Sequence, residues 1–238
     1  MDGMKIGDAV EFQRLLYSLV RELVDANIVF KLHSDLERSV DKFENAMNES
    51  RTFWLLTLQS TLDAAAYRLC KIYDQRADGT NLRSLLKTLQ SQPELFLPEE
   101  YAKRVPAQLA EDPPALDAAQ LARDVEFATA GSNPLVKKLL ILRHNFYAPL
   151  GASHSKADSQ PAEKYPISRD EIESLLRAGM AIANRYSIAF RSHSHLMKMV
   201  GQDDFVQVLE AVHERITNLA RRRDEQLRRL GVDPNLLA

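Results

Sequence analysis

The segment Ile167 to Phe190, ISRDEIESLLRAGMAIANRYSIAF, decides the fold. Ser168 and Glu171 have the spacing of a capping box, in which each side chain takes a backbone N–H that the first helical turn leaves open. Ile167 and Ile172 flank the box as a hydrophobic staple. From there Leu175, Met180, Ala183, Ser187 and Phe190 recur at helical spacing, so a long helix carries an apolar stripe that a core must cover.

The same period extends in both directions. Before this helix, Asn133-Pro134 reads as an N-cap and a first-turn proline, Leu135, Leu139, Leu142 and Phe146 mark a buried face, and Pro149 ends the helix at Ala148. Residues 149–167 then form a connection of a length usually reserved for a functional or disordered loop, with Pro149 to Lys164 expected to be mobile without ligand. Nearer the N-terminus, Phe12, Leu16, Leu19, Leu23, Ala26 and Phe30 predict one amphipathic helix, with a shorter one over Leu36 to Met47. Ser50 is placed to cap a helix bearing Trp54, Leu58, Leu62, Ala65, Leu69 and Ile72, expected at the centre of the core. The turn Asp78-Gly79-Thr80 leads to a short helix on Leu82, Leu85, Leu86 and Leu89 that ends before Pro93. The prolines between 93 and 114 allow at most one brief helix and imply a surface excursion, after which helical spacing resumes from Ala115 to Ala128. The last helix begins near Asp203 or Asp204, with Phe205, Leu209, Val212, Ile216, Leu219 and Leu230 on a heptad seam interrupted by Arg223 and Gln226. No alternating strand pattern and no internal repeat is present. The expectation is an all-α fold of long antiparallel helices, one bundle over residues 1–200, with a C-terminal basic helix over 201–238 packed on the bundle or on a partner subunit.

Composition narrows the function. With 45% hydrophobic and 27% charged residues the chain is a globular mixture, and a formal charge of −2 gives no general attraction to nucleic acid or anionic lipid. Any RNA site is then a local basic patch. A single cysteine, Cys70, excludes an internal disulfide and a thiolate metal cluster; on an apolar helix it reads as inert core rather than a nucleophile. Asp2, Lys5 and Asp8 break up any leader-like start and no apolar run reaches membrane-spanning length, so the expected location is the cytoplasm, away from membranes. The glycines form no phosphate loop. His193 and His195 lack a third ligand nearby, so they read as exposed inter-helix residues rather than zinc ligands, and neither a metal nor a cofactor is expected. In the last helix, Arg215, Arg221, Arg222, Arg223, Arg228 and Arg229 make a basic end, interleaved with Asp224 and Glu225 as a salt-bridged solvated face; phosphate contact is its other use.

One stretch carries chemistry: Leu142-Arg143-His144-Asn145-Phe146-Tyr147-Ala148, polar groups at the end of an apolar helix beside the long loop. A helix end leaves backbone groups open, and an arginine fork can pair with a phosphate through two N–H groups. The same residues also suit a structural role, with Arg143 ion-paired inside the bundle and His144 and Asn145 capping the helix.

This string resembles the R-N-x-x-x-A-H signature of the HEPN superfamily, helical proteins of bacterial defence and toxin systems. Val20 to Leu32 (VRELVDANIVFKL), Leu62 to Asp74 (LDAAAYRLCKIYD) and Ile167 to Phe190 resemble its AbiU-type abortive-infection branch in content and order. The resemblance implies a HEPN-like bundle that forms a homodimer and sets two arginine-histidine motifs across a shared cleft. It further implies metal-independent RNA cleavage, in which histidine moves protons and arginine stabilises the phosphorane. Arg143 matches the family arginine, His144 the polar position after it, and Ala148 the alanine before the histidine. Where that histidine stands in the family, this chain has Pro149, so the imidazole would have to come from His144 or His154. Asn145, Tyr147 and Lys156 are the expected RNA contacts. The expectation is thus an RNA-directed defence or toxin-antitoxin protein, partnered by RNA, a second copy and an antitoxin or defence protein. The alternative is a non-catalytic HEPN protein whose cleft binds RNA, a nucleotide or a protein.

Overall fold

The computed structural model describes residues 8–77, 79–110, 114–143, 167–197, 203–231 and 233. Among them every regular element is helical: α1 (Ala9–Ser39), α2 (Glu44–Asn48), α3 (Arg51–Ile72), α4 (Leu82–Ser91), a 3₁₀ turn (Pro93–Phe96), α5 (Pro98–Ala102), α6 (Ala107–Ala110), α7 (Ala118–Ala128), α8 (Pro134–Leu142), α9 (Arg169–Arg191) and α10 (Asp204–Arg229). None of these helices is long and apolar enough to cross a membrane. The chain divides into two compact units, residues 1–27 with 63–197 and residues 28–62 with 198–238, so α1 and α3 each contribute to both.

The first unit is built around α9. Ser168 accepts from the N–H of Glu171 while the Glu171 carboxylate accepts from the N–H of Ser168, completing the expected capping box. Ile172, Leu175, Leu176, Met180, Ala183, Tyr186 and Phe190 are buried on its inner face. Gly179 of α9 faces Leu23 of α1 and Tyr73, the residue that follows α3. A Cβ there would meet a Leu23 methyl at 2.8 Å and the Tyr73 hydroxyl at 3.1 Å, so a larger residue would displace the Leu23 side chain and press on the Tyr73 hydroxyl. The Tyr73 hydroxyl donates to the carbonyl of Leu175 at 2.6 Å. At one end Phe12, Phe96 and Phe190 pack as a tilted and edge-on trio with centroids 4.9–5.7 Å apart, a favoured geometry for aromatic rings.

Several elements differ from the sequence expectation. No Gly or Pro lies between Phe30 and Ser39, and α1 runs on unbroken where a second helix was predicted to begin; only Glu44–Asn48 forms a separate short helix. Residues 93–110 hold three short helical pieces rather than one. Pro93 and Pro98 start turns at positions where the missing N–H costs nothing, and Phe96 and Tyr101 anchor the stretch in the core. α3 is central over only half its length: Ala65, Ala66, Leu69, Cys70 and Ile72 are buried, whereas Phe53, Leu55 and Leu56 are more than half exposed. The helix starts at Pro134, α7 and α10 follow the expectation closely, with Asn133, Asp117 and Asn81 side chains capping α8, α7 and α4. The predicted end at Ala148 and the 149–167 loop lie largely outside the described residues.

The second unit has its own small core. Leu36, Phe43, Ala46, Met47 and Leu209 are buried, with Leu32, Val40, Trp54, Leu58, Phe205, Val212 and Ile216 partly buried against them. α2 packs against α10, and a His33 ring nitrogen lies 3.0 Å from the carbonyl oxygen of Leu58. The C-terminal half of the heptad seam is uncovered, Leu219 and Leu230 being 54% and 77% exposed.

Candidate functional site

The motif arginine sits at the C-terminal cap of α8, where its N–H closes the last turn on the carbonyls of Leu139 and Leu140. Its side chain crosses to the end of α3, and Nη1 donates to Asp74 Oδ1 at 2.6 Å. Arg76 Nε donates to the other oxygen of the same carboxylate at 2.8 Å, and the backbone N–H of Gln75 adds a contact at 2.8 Å. Burial opposes charge on Asp74, but the bonds from Arg76 and Arg143, the charge of Arg143 and the Gln75 N–H outweigh it and hold the carboxyl below the usual aspartate range. Arg143 thus makes an ion pair within its own unit, as the structural alternative requires. A guanidinium carries five N–H groups, and with 29% of its side chain exposed Arg143 can hold Asp74 and still present N–H groups to a phosphate.

Beneath this pair lies Cys70, 1% exposed, its Sγ 3.6 Å from the carbonyl oxygen of Leu139. Burial pushes its thiol up to about 12, with Arg143 opposing and Asp74 reinforcing the shift, so the thiol is protonated core as its sequence context indicates. Of the other expected catalytic or RNA-contacting residues, His144, His154, Asn145, Tyr147 and Lys156 lie outside the described residues, as does Pro149. Asp74 escaped the sequence reading. Its signal was an acidic side chain closing an apolar helix and followed at once by Gln75 and Arg76, within the string that carries the family resemblance.

Two further clusters complete the polar anatomy of this unit. Asp124, 5% exposed, accepts from Arg185, from the Tyr186 hydroxyl at 2.7 Å and from Gln120 Nε2 at 2.8 Å, which locks α7 to α9. Just beyond, at the C-terminal end of α9, the chain turns through Ser192 in the left-handed region (φ 55°, ψ 33°). The following residues are gripped by side-chain amides. Asn184 accepts from the N–H of His195 at 2.7 Å and donates to its carbonyl at 2.9 Å, and Asn27 donates to the carbonyl of Met197 at 2.7 Å. His193 is exposed as expected, whereas His195 is half-buried, with Nε2 3.2 Å from Ser187 Oγ and its ring edge-on to His193. Among the described residues no three of His, Cys, Asp and Glu gather as a metal-ligand set.

Comparison with known proteins adds one finding. The HEPN_AbiU2 (AbiU2) family model matches residues 9–223, nearly the whole length and both compact units. No curated protein and no solved structure matches the chain.

Proposed function

Because the chain belongs to the AbiU2 family of HEPN proteins, we propose that it is an abortive-infection protein directed at RNA, with Arg143 as the phosphate-binding group of a degenerate arginine-histidine motif. The observation that carries this reading is the posture of Arg143. A buried, ionised Asp74 fixes a partly exposed guanidinium at a helix end, and a pre-oriented arginine loses less freedom on gripping a phosphate than a wandering one. In the catalytic form of the reading, two copies pair to make a cleft, an imidazole from His144 or His154 moves the 2′-hydroxyl proton, and Arg143 stabilises the phosphorane without a metal. A role in a toxin-antitoxin pair would add a protein partner that covers the cleft.

A second reading keeps the cleft and drops the chemistry. Pro149 at the histidine position and the engagement of Arg143 by Asp74 favour a protein that binds RNA, a nucleotide or a protein and does not cut. Incubation of the pure protein with labelled total RNA and tRNA in EDTA tests both. Cleavage that His154→Ala or His144→Ala abolishes supports catalysis by the changed geometry. If the wild type is inert, Pro149→His is expected to raise cleavage about 10²- to 10⁴-fold, the usual worth of a placed proton-transfer group, and Arg143→Ala in that background to remove the gain. A folded Pro149→His dimer that stays inert leaves binding as the function, and a persistent monomer at tens of micromolar removes the shared cleft altogether.

A further inference from the structure

Between α1 and the gripped turn at residues 192–197 lies a groove of about 560 Å³, lined by Tyr17, Val20, Arg21 and Val24 on one side and His193, Ser194, His195 and Leu196 on the other. Its volume is that of a small-ligand site. Its shape does not depend on a ligand, since the Asn184 and Asn27 amides hold the backbone of the turn and carry its structural burden. The side chains they present are chemically sorted. Arg21, His193 and Ser194 are exposed at the rim, Val20 is 4% exposed at the floor, and the Tyr17 ring stands 58% exposed at one edge. No carboxylate is among the lining residues, and the acids on the same stretch of α1 are turned away. Glu22 pairs with Arg68 at 2.9 Å and with Lys71 at 2.7 Å, and Asp25 approaches Arg68 at 3.3 Å. Two imidazoles with no third ligand do not make a zinc set, but with a guanidinium beside them they suit an anion, and the tyrosine face and valine floor suit a flat ring.

We propose that this groove binds a nucleoside phosphate, with Arg21 and His193 holding the phosphate and Tyr17 and Val20 packing the base, as a free nucleotide or as the phosphorylated end of an RNA strand. The site is separate from the Arg143 cluster and stands or falls without it. Both sources offer the same chemistry, one terminal phosphate attached to one stackable ring.

The test is an NMR titration of the full chain, following the imidazole signals of His193 and His195, with AMP, inorganic phosphate, adenosine, and one short RNA carrying either a 5′-phosphate or a 5′-hydroxyl. AMP is expected to move both imidazoles and to bind more tightly than phosphate or adenosine. Arg21→Ala and His193→Ala, both at exposed positions, are each expected to weaken it roughly ten- to hundredfold, the usual worth of a charged hydrogen bond. Response to the 5′-phosphorylated RNA with none to AMP assigns the strand end as the source and also supports the site. Three results overturn it: no imidazole response to any phosphorylated ligand, adenosine or inorganic phosphate binding as well as AMP, or undiminished AMP binding in the folded Arg21→Ala, His193→Ala double variant.

Discussion

Asp74 and Asp124 are both nearly buried carboxylates that receive an arginine from another helix, yet the two joints are built to different ends. At Asp124 the partners are one guanidinium and two neutral donors. Tyr186, whose hydroxyl burial and the Asp124 contact together push toward the protonated form, closes the joint on its inner side. Both helices are thereby fixed, and three donors converge on the one carboxylate. At Asp74 one carboxylate is shared by two guanidiniums, and the one from α8 is held at a helix end with part of its surface in solvent. The two arginines do not differ in having surface to spare, 29% of the Arg143 side chain and 41% of the Arg185 side chain being exposed. They differ in place: Arg143 closes α8 inside the motif string, and Arg185 lies within α9 as a strut to α7.

The largest expected effect separates the two arginines. Arg143→Ala should lower RNA cleavage, in whichever background cleaves, by about 10² to 10³, as removal of one preorganised charge-stabilising donor does elsewhere. Arg185→Ala should leave cleavage per folded molecule unchanged. Equal losses in both would mean that Arg143 is only another joint.

Next comes Asp124→Ala, which strands the Tyr186 hydroxyl in the core and should cost about 2–3 kcal/mol of unfolding free energy by urea titration. A cost near zero would show that α7 and α9 are held by apolar packing alone. Asp74→Asn should cost less, about 1 kcal/mol, because Arg76 and Arg143 can both reach water. Its pH signature is specific. The folded carboxyl titrates below the unperturbed value of about 3.9, so its stabilisation is complete above that value and is lost as pH falls through the lower folded one. The difference between wild type and Asp74→Asn should be flat from pH 7 to 5 and close only below about pH 4. Cleavage by Asp74→Asn should fall by less than in Arg143→Ala, since the guanidinium remains but loses its anchor.

The smallest effect belongs to His195. Burial, then the charges of His193 and Arg191, lower its pKa; Tyr17 and Arg21 of α1 and Ser187 of α9 complete its surroundings. The unfolded chain therefore takes up the proton first, and stability should decline as pH drops below about 6.5 until the folded ring also protonates. His195→Gln, which can keep a bond to Ser187, should flatten that slope in urea titrations between pH 7 and 5.

What could be read from the sequence follows from how local each cause is. The start of α9 and the cap at Asn133 are each set by residues within about one turn of the chain, and each stands where spacing put it, whereas the Asp117 cap of α7 was not read. The course of α3 could not be read this way. Trp54, Leu58, Leu69 and Ile72 share one stripe, but which half of a stripe is covered depends on helices far away in sequence. The site divides in the same manner. Arg143 was visible because it closes an apolar helix, whereas Asp74 gains its meaning only when the end of α3 meets the end of α8. The turn at 193–195 was read as plain surface because the amides that shape it, Asn27 and Asn184, lie on two helices that the sequence alone does not bring together.

Cys70 gives the ground under Arg143 a clock of its own. It is the only thiol in the chain, and a protonated sulfur this deep meets a disulfide reagent only after the surrounding helices part. Its rate of labelling therefore counts how often the end of α3 lifts away from α8, and a phosphate ligand clasped by Arg143 would slow that count without touching the sulfur.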